Sequence, residues 1–355
     1  MTRRGFLRTA VGSLLAASGC GATRAHGRGE TTVTQDDSGI VQARFRPGAV
    51  WLDTEGTPIQ AHGGGMLIHQ GIYYWFGENR AAETKRATLA RVDVIGVNCY
   101  SSTDLIHWKN EGVVLPAVKD DPEHDLHPSR VVERPKVLYN EATRTFVMWM
   151  HIDKSDYGYA RTGVATSDSP TGPYRYRGSV QPNGADSRDM TVYKDDDGAA
   201  YLFHSSQWNK TMHIVRLSDD YLQPTDRFVR EFVNRSREAP AIFKHEGRYY
   251  CITSGCTGWD ANPAEYAVSE SIMGPWKVRG NPCIGAPEEI ATTFHSQSTF
   301  VLPVQGRPGA FIFMADRWKR ENLNDSRYVW LPLEVKGPSI AIRWHEEWDL
   351  SYFDA

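Results

Sequence analysis

Three short stretches set an acid beside an arginine ahead of an apolar run: Val132-Glu133-Arg134-Pro135-Lys136-Val137, Ser187-Arg188-Asp189-Met190 and Ser236-Arg237-Glu238-Ala239-Pro240. A charge opening an apolar strand is costly to bury unless it is paired or faces water. Two arrangements meet that condition. Either Arg134, Arg188 and Arg237 neutralise the acids next to them, or Glu133, Asp189 and Glu238 converge on a common hollow. Convergent carboxylates suit hydrolysis of a glycosidic bond, which needs one acid kept protonated and others ionised nearby. Mutual repulsion holds the proton on the most buried member. Each stretch taken alone reads as a structural pair. Taken together, at nearly even spacing, they favour convergence.

Such convergence needs elements that bring distant segments to one axis. From Trp51 onward, runs of aromatic and β-branched residues recur: Gly71–Phe76, Thr145–Met150, Ala200–Phe203, Gly247–Ile252 and Ala310–Met314. Each follows a turn such as His69-Gln70-Gly71 or Asp195-Asp196-Asp197-Gly198. Behind several comes a Ser-bearing strand and then a Trp or a Gly-Pro-aromatic step, as at Gly172-Pro173-Tyr174 and Gly274-Pro275-Trp276. A repeat of roughly 50 to 70 residues holds four short strands, the signature of propeller blades. Five units fit, so the expected fold is all-β, a five-bladed β-propeller; a β-sandwich would not need the unit restated. The three acid-bearing stretches fall where innermost strands should begin. Within this plan Trp75 and Trp149 read as blade packing.

The chain has 355 residues and a formal net charge of −3, with 40% apolar residues. That balance argues against nucleic acid as a partner, because capture of phosphates needs a basic face. No apolar run approaches the roughly 20 residues that span a bilayer. Arg3-Arg4-Gly5-Phe6-Leu7 precedes an apolar stretch, Ala10 to Ala17, and reads as a twin-arginine export signal. The segment ending Ala17-Ser18-Gly19-Cys20 resembles a lipoprotein cleavage box, with Cys20 as the lipid acceptor. The expected organisation is a leader over 1–20, a flexible tether over 21–40 and a catalytic propeller over 41–355. The protein is expected to be exported by the twin-arginine route to the periplasm or cell surface. Its membrane association would run only through a lipid on Cys20, and it is expected to be a monomer. Cys251 and Cys256 suggest a disulfide or two free thiols, and the sequence leaves both open.

Several strings are uncommon: Ile59–Gly65, Tyr73–Glu78, Glu133-Arg134-Pro135-Lys136, Ser187–Met190, Arg237–Pro240, Thr257-Gly258-Trp259 and His295–Thr299. In these the chain resembles glycoside hydrolase family 43, and in particular its exo-β-1,3-galactanase subfamily (subfamily 24). The resemblance implies a five-bladed propeller, an oligo- or polysaccharide substrate and inverting hydrolysis that releases galactose from β-1,3-galactan. It implies Glu238 as the general acid, Asp189 as the carboxylate that orients the acid and tunes it, and Glu133 as a further acid at the terminal sugar. Most of the family uses a first-blade Asp as base. Here His62-Gly63-Gly64-Gly65 stands in that place, and the resemblance points to Gln297 as the holder of the attacking water. An amide is a poor base, so removing the water's proton requires either an imidic tautomer of Gln297 or relay to a nearby carboxylate, Glu133 or Glu78. In an inverting enzyme acid and water-holder sit roughly 6.5–9.5 Å apart. Glu78, Arg134, Tyr157, Asn209, Thr257 and Trp259 resemble the subfamily's sugar contacts, with Trp259 as the stacking platform. The alternatives are an α-L-arabinofuranosidase or β-xylosidase on the same fold, and a sugar-binding propeller without catalysis.

No cofactor is expected. A structural calcium is the one candidate, since His295 resembles a histidine that in some relatives points at a central ion or water. Asp195-Asp196-Asp197-Gly198 lacks the rest of a calcium loop and reads as a hairpin turn. His124, Asp125 and His127 read as loop surface.

Overall fold

The five aromatic runs become strands because each must be buried on both faces, the condition under which apolar residues run on without alternation. In the computed structural model, which describes residues 44–85 and 89–354, they lie in five antiparallel meanders. The first is β1 (His62–His69), β2 (Ile72–Glu78), β3 (Gly96–Ser102) and β4 (Lys109–Pro116). The second is β5 (Val131–Asn140), β6 (Thr145–Asp153), β7 (Arg161–Ser167) and β8 (Arg175–Val180). The third is β9 (Met190–Lys194), β10 (Ala200–Ser206), β11 (Thr211–Leu217) and β12 (Pro224–Glu231). The fourth is β13 (Glu238–His245), β14 (Arg248–Ser254), β15 (Glu265–Ser269) and β16 (Lys277–Gly280). A short strand, β17 (Cys283–Ile284), and one helix, α1 (Pro287–Thr292), lead to the last meander. That is β18 (Gln297–Pro303), β19 (Phe311–Arg317), β20 (Arg327–Lys336) and β21 (Ser339–Arg343), with β17 added in parallel beyond β21.

The first strands meet in cyclic order, β1 with β5, β5 with β9, β9 with β13, β13 with β18 and β18 with β1. A ring of five sheets closes around one channel, the expected propeller. Each aromatic run is the second strand of its blade, one step out from the axis. Apolar layers fill the gaps between neighbouring blades: Leu67, Phe76 and Cys99 pack with Val137, Met148 and Ala165 between the first and second, and Phe203 and Ile214 with Ile242 and Cys251 between the third and fourth. Trp75 and Trp149 are fully buried in such layers, as expected. The ring is latched by Phe45, whose backbone exchanges hydrogen bonds of 2.7 and 3.0 Å with Trp348.

The Asp195–Gly198 segment is the β9–β10 turn. Asp195 accepts from Lys244 Nζ at 2.7 Å and Tyr249 OH at 2.5 Å, so its carboxylate is occupied by the neighbouring blade. Asp125 likewise accepts from Tyr176 OH and Ser179 Oγ, both at 2.7 Å. Cys251 and Cys256 are both free thiols, the first buried in β14 and the second exposed. The leader, the tether and Cys20 lie outside the described residues.

Candidate active site

All first strands enter the channel from the same end, and three of them break there in the same way. Register slips between His62 and Gly65 in β1, between Glu133 and Lys136 in β5, and between Glu238 and Ala241 in β13. In each the second residue is left-handed, at φ 58° for Gly63, 57° for Arg134 and 54° for Ala239. β18 slips between Ser298 and Phe300. A bulge bends the strand and re-aims a side chain that a regular ladder would hold against the neighbouring blade. Glu133, Glu238 and Gln297 accordingly line one hollow of about 270 Å³ at this mouth, together with Asp189, which stands just ahead of the unbroken β9.

The neighbouring arginines form their direct ion pairs with other acids than the ones beside them. Arg134 pairs with Asp189 at 2.9 Å, Arg188 with Asp186, and Arg237 lies 3.9 Å from Glu265. Among the described residues Glu238 is therefore left without a cation in direct contact. Burial and the nearby Asp189 charge push its carboxyl up to about 8, although Arg134 pulls the other way. Asp189 Oδ2 also accepts the Ala239 N–H at 3.1 Å, which fixes the bulge that carries the acid. Asn209 Nδ2 donates to Glu238 Oε2 at 3.0 Å, while Asn209 Oδ1 is buried without a partner and is left as an acceptor.

Gln297 departs from expectation. Its Nε2 donates to Glu238 Oε1 at 2.9 Å, so acid and amide touch instead of standing a water and a sugar apart. Both residues open their strands, and β13 and β18 are neighbours around the ring, so the two side chains meet directly. Nε2 also donates to Ser254 Oγ at 2.9 Å; Oε1 accepts from Arg134 at 2.6 Å and from Trp318 Nε1 at 2.9 Å. Two donors to the amide and two acceptors from it fill its capacity. Donors aimed at Oε1 also disfavour the imidic tautomer, which carries a proton on that oxygen.

The two remaining acids share Arg80, which ion-pairs with Glu78 and lies 3.4 Å from Glu133. They are held oppositely. Burial pushes Glu133 up, but His151, at 3.3 Å, together with Arg80 and Arg134 outweighs it and brings the carboxyl to about 2. His151 is itself buried, yet its contacts to Asp153 and Glu133 raise it to about 9, which favours the imidazolium. Tyr157 OH donates to Glu133 at 3.0 Å. For Glu78, burial and the Glu133 charge outweigh Arg80 and leave it near 7. A Cβ on Gly63 would come 2.2 Å from Glu78 Oε1. The carboxyl of Glu78 thus fills the space beside the His62–Gly65 segment, where the first-blade Asp is missing.

Glu78, Arg134, Tyr157, Asn209 and Trp259 all line the hollow; Thr257 does not. Its hydroxyl donates to Asp260 O at 2.5 Å and accepts from Asn262 at 2.7 Å, which shapes the loop carrying Trp259. Trp259 is less free than a platform requires: Arg80 sits 4.7 Å over its ring and its Nε1 is tied to Ala90 O. Sequence reasoning missed Arg80, His151, Arg188, Trp208, Cys256 and Trp318, which also line the hollow. Arg80 was signalled by its place two residues after Glu78. His151 had no local signal, because it reaches Glu133 through the β5–β6 register.

His295 is exposed in the loop before β18 and does not face the channel; the buried histidine at the axis is His62, 3.3 Å from Asp316. The cluster Glu133, His151 and Asp189 has metal-ligand spacing. It fits a calcium ion poorly, because calcium takes oxygen ligands and His151 offers nitrogen, and Arg80 and Arg134 already pair with Glu133 and Asp189.

A buried proton-holding acid, a second carboxyl near neutrality and cation-clamped carboxylates between them form a site for acid–base cleavage of a polyhydroxylated substrate. The model for glycosyl hydrolases family 43 matches residues 66–324. A β-1,3-galactosidase of that family, solved with galactodeoxynojirimycin, is 42% identical, with 86% of this chain and 100% of that chain covered at a TM-score of 0.79. The exo-β-1,3-galactanase of Phanerochaete chrysosporium, solved with galactose, is 37% identical, with 86% and 68% covered at a TM-score of 0.78. A β-D-galactofuranosidase of Aspergillus niger is 21% identical over 241 residues, 64% of this chain. The chain spans 66% of that protein's length and half or less of three other curated relatives, two arabinoxylan arabinofuranohydrolases and a xylan 1,3-β-xylosidase. Five blades, one acid-lined mouth and this match over most of the propeller lead to one conclusion: the chain belongs to glycoside hydrolase family 43.

Proposed function

We propose that the protein is an exo-acting, inverting hydrolase that removes galactose from the non-reducing end of β-1,3-galactan. The observation that carries the reading is Glu238, a buried carboxyl without a direct cation partner among the described residues, held to about 8 and braced by Asp189 through the Ala239 N–H. Glu238 gives its proton to the glycosidic oxygen as the bond from C1 breaks. Water attacks C1 from the opposite face, forming the new C–O bond and giving its proton to Glu78. Gln297, filled with hydrogen bonds, is a positioning residue that keeps Glu238 and Arg134 in register. Glu133, permanently ionised, accepts hydrogen bonds from sugar hydroxyls and does not serve as the relay. At the end Glu78 holds the proton that Glu238 has lost, and exchange with solvent resets both.

The arabinose- or xylose-releasing alternative draws support from the curated relatives. It usually accompanies a first-blade Asp, and here Glu78 fills that space. Product analysis separates the readings: galactose as the α-anomer first seen by NMR supports this one. Release of arabinose or xylose alone, or of β-galactose, sinks it. Export and lipidation are proposed on Arg3-Arg4 and Cys20; loss of membrane fractionation in a Cys20→Ala variant is the expected result. A monomer is proposed, with solution mass by light scattering as the check.

A further inference from the structure

The hairpin between β10 and β11 carries Gln207, Trp208 and Asn209, all left-handed, at φ 55°, 56° and 63°. Three such residues in a row, none a glycine, persist only where surroundings impose them. Asp186 does so. Its Oδ1 accepts Gln207 N–H at 2.7 Å and Ser206 Oγ at 2.8 Å, and its Oδ2 accepts Trp208 N–H at 3.0 Å. The same carboxylate pairs with Arg188, whose guanidinium lies 4.1 Å over the Trp208 ring. Arg188 is tied in turn to Tyr157 O at 3.1 Å. The result is an indole fixed from below and 68% exposed, at the lip of the active-site hollow.

An exposed tryptophan held this firmly buries nothing for the fold, so its flat face is available to a ligand. Position says which ligand. Asn209, the next residue, donates to Glu238, and Glu238 protonates the oxygen that stays with the leaving sugar. The leaving ring must therefore lie on the acid's side, where Trp208 stands. The other two indoles of the hollow, Trp259 and Trp318, are half-buried, with their Nε1 groups tied to Ala90 O and Gln297 Oε1.

We propose that Trp208, backed by Arg188, is the stacking platform for the leaving galactosyl unit and sets the preference for a galactan chain over a non-sugar leaving group. The inference rests on the galactan-hydrolase reading. Its test compares wild type, Trp208→Ala and Trp208→Phe on β-1,3-galactobiose and on β-galactosyl fluoride, whose leaving group has no ring to stack. Trp208→Ala should lose at least about tenfold in kcat/KM on galactobiose and several-fold less on the fluoride, because only the first donor offers C–H groups to an aromatic face. Trp208→Phe should recover most of the loss. An equal loss on both donors, no loss on galactobiose, or a Phe variant as poor as Ala overturns the platform alone. A wild type inert on both donors overturns the galactan reading and the platform with it.

Discussion

The channel enclosed by β1, β5, β9, β13 and β18 has two mouths, and they are built differently. At one end β1, β5, β13 and β18 slip register and turn side chains inward. At the other the same strands pair without a break: Met66–His69 against Ile72–Trp75, and Ile242–His245 against Arg248–Cys251. The regular end holds the larger hollow, about 670 Å³ against about 270 Å³. Its charges are spent on structural pairs, Lys244 with Asp195 and Lys194 with Glu141. Lys136, beneath the site, donates from Nζ to Gly63 O, 2.8 Å away. Size does not mark the reactive mouth. What marks it is a broken ladder that sets carboxyls where blade packing cannot absorb them.

Four experiments bear on that contrast. The largest effect is expected at the acid: Glu238→Gln should lower kcat by about 10³-fold while calorimetry still detects galactobiose binding. Unchanged turnover would place the chemistry elsewhere, at the regular mouth or nowhere. Next comes Glu78→Gln, with a loss of about 10²-fold. Here the pH profile is decisive. The acid must be protonated, so wild-type kcat/KM should fall as pH rises through about 8; the base must be ionised, so it should fall as pH drops below about 7. Glu78→Gln should lose the acidic limb only, and a profile that keeps it would return the base to another group.

Gly63→Ala tests the bulge itself. Its left-handed backbone and the collision with Glu78 Oε1 should cost about 1–3 kcal/mol in denaturant unfolding, with activity falling as Glu78 is displaced. A stable, fully active variant would mean that the bulge is not what sets the carboxyl. The smallest effect is expected at the regular mouth. Glu141→Gln should change stability by less than about 0.5 kcal/mol and leave galactose release essentially as in wild type. A large loss there would erase the distinction between the mouths.

Five aromatic runs, five turns and three acid-bearing strand openings were legible because a blade must bury both faces of its second strand and so repeats an apolar block. Glu238, Asp189 and Glu133 were legible for the opposite reason: a charge opening an apolar strand has few places to go. The contact of Gln297 with Glu238 was not, since it depends on β13 and β18 being ring neighbours and on slips in both. Nor was the division between Glu78 and Glu133, which share Arg80 and differ through His151, delivered by cross-strand register. Thr257 and His295 matched a pattern, yet neither lines the hollow: the Thr257 hydroxyl is spent on its own loop, and His295 is exposed in the turn before β18.

By itself the amino-acid order determined the number of blades, the strands within them and the residues able to carry protons, because periodicity, turns and residue type are local properties. Only the closed ring decided which carboxyl keeps its proton, which is clamped by cations, and that an amide braces the acid. Those outcomes depend on burial and on charges a few ångströms apart in space, contributed by segments far apart along the chain.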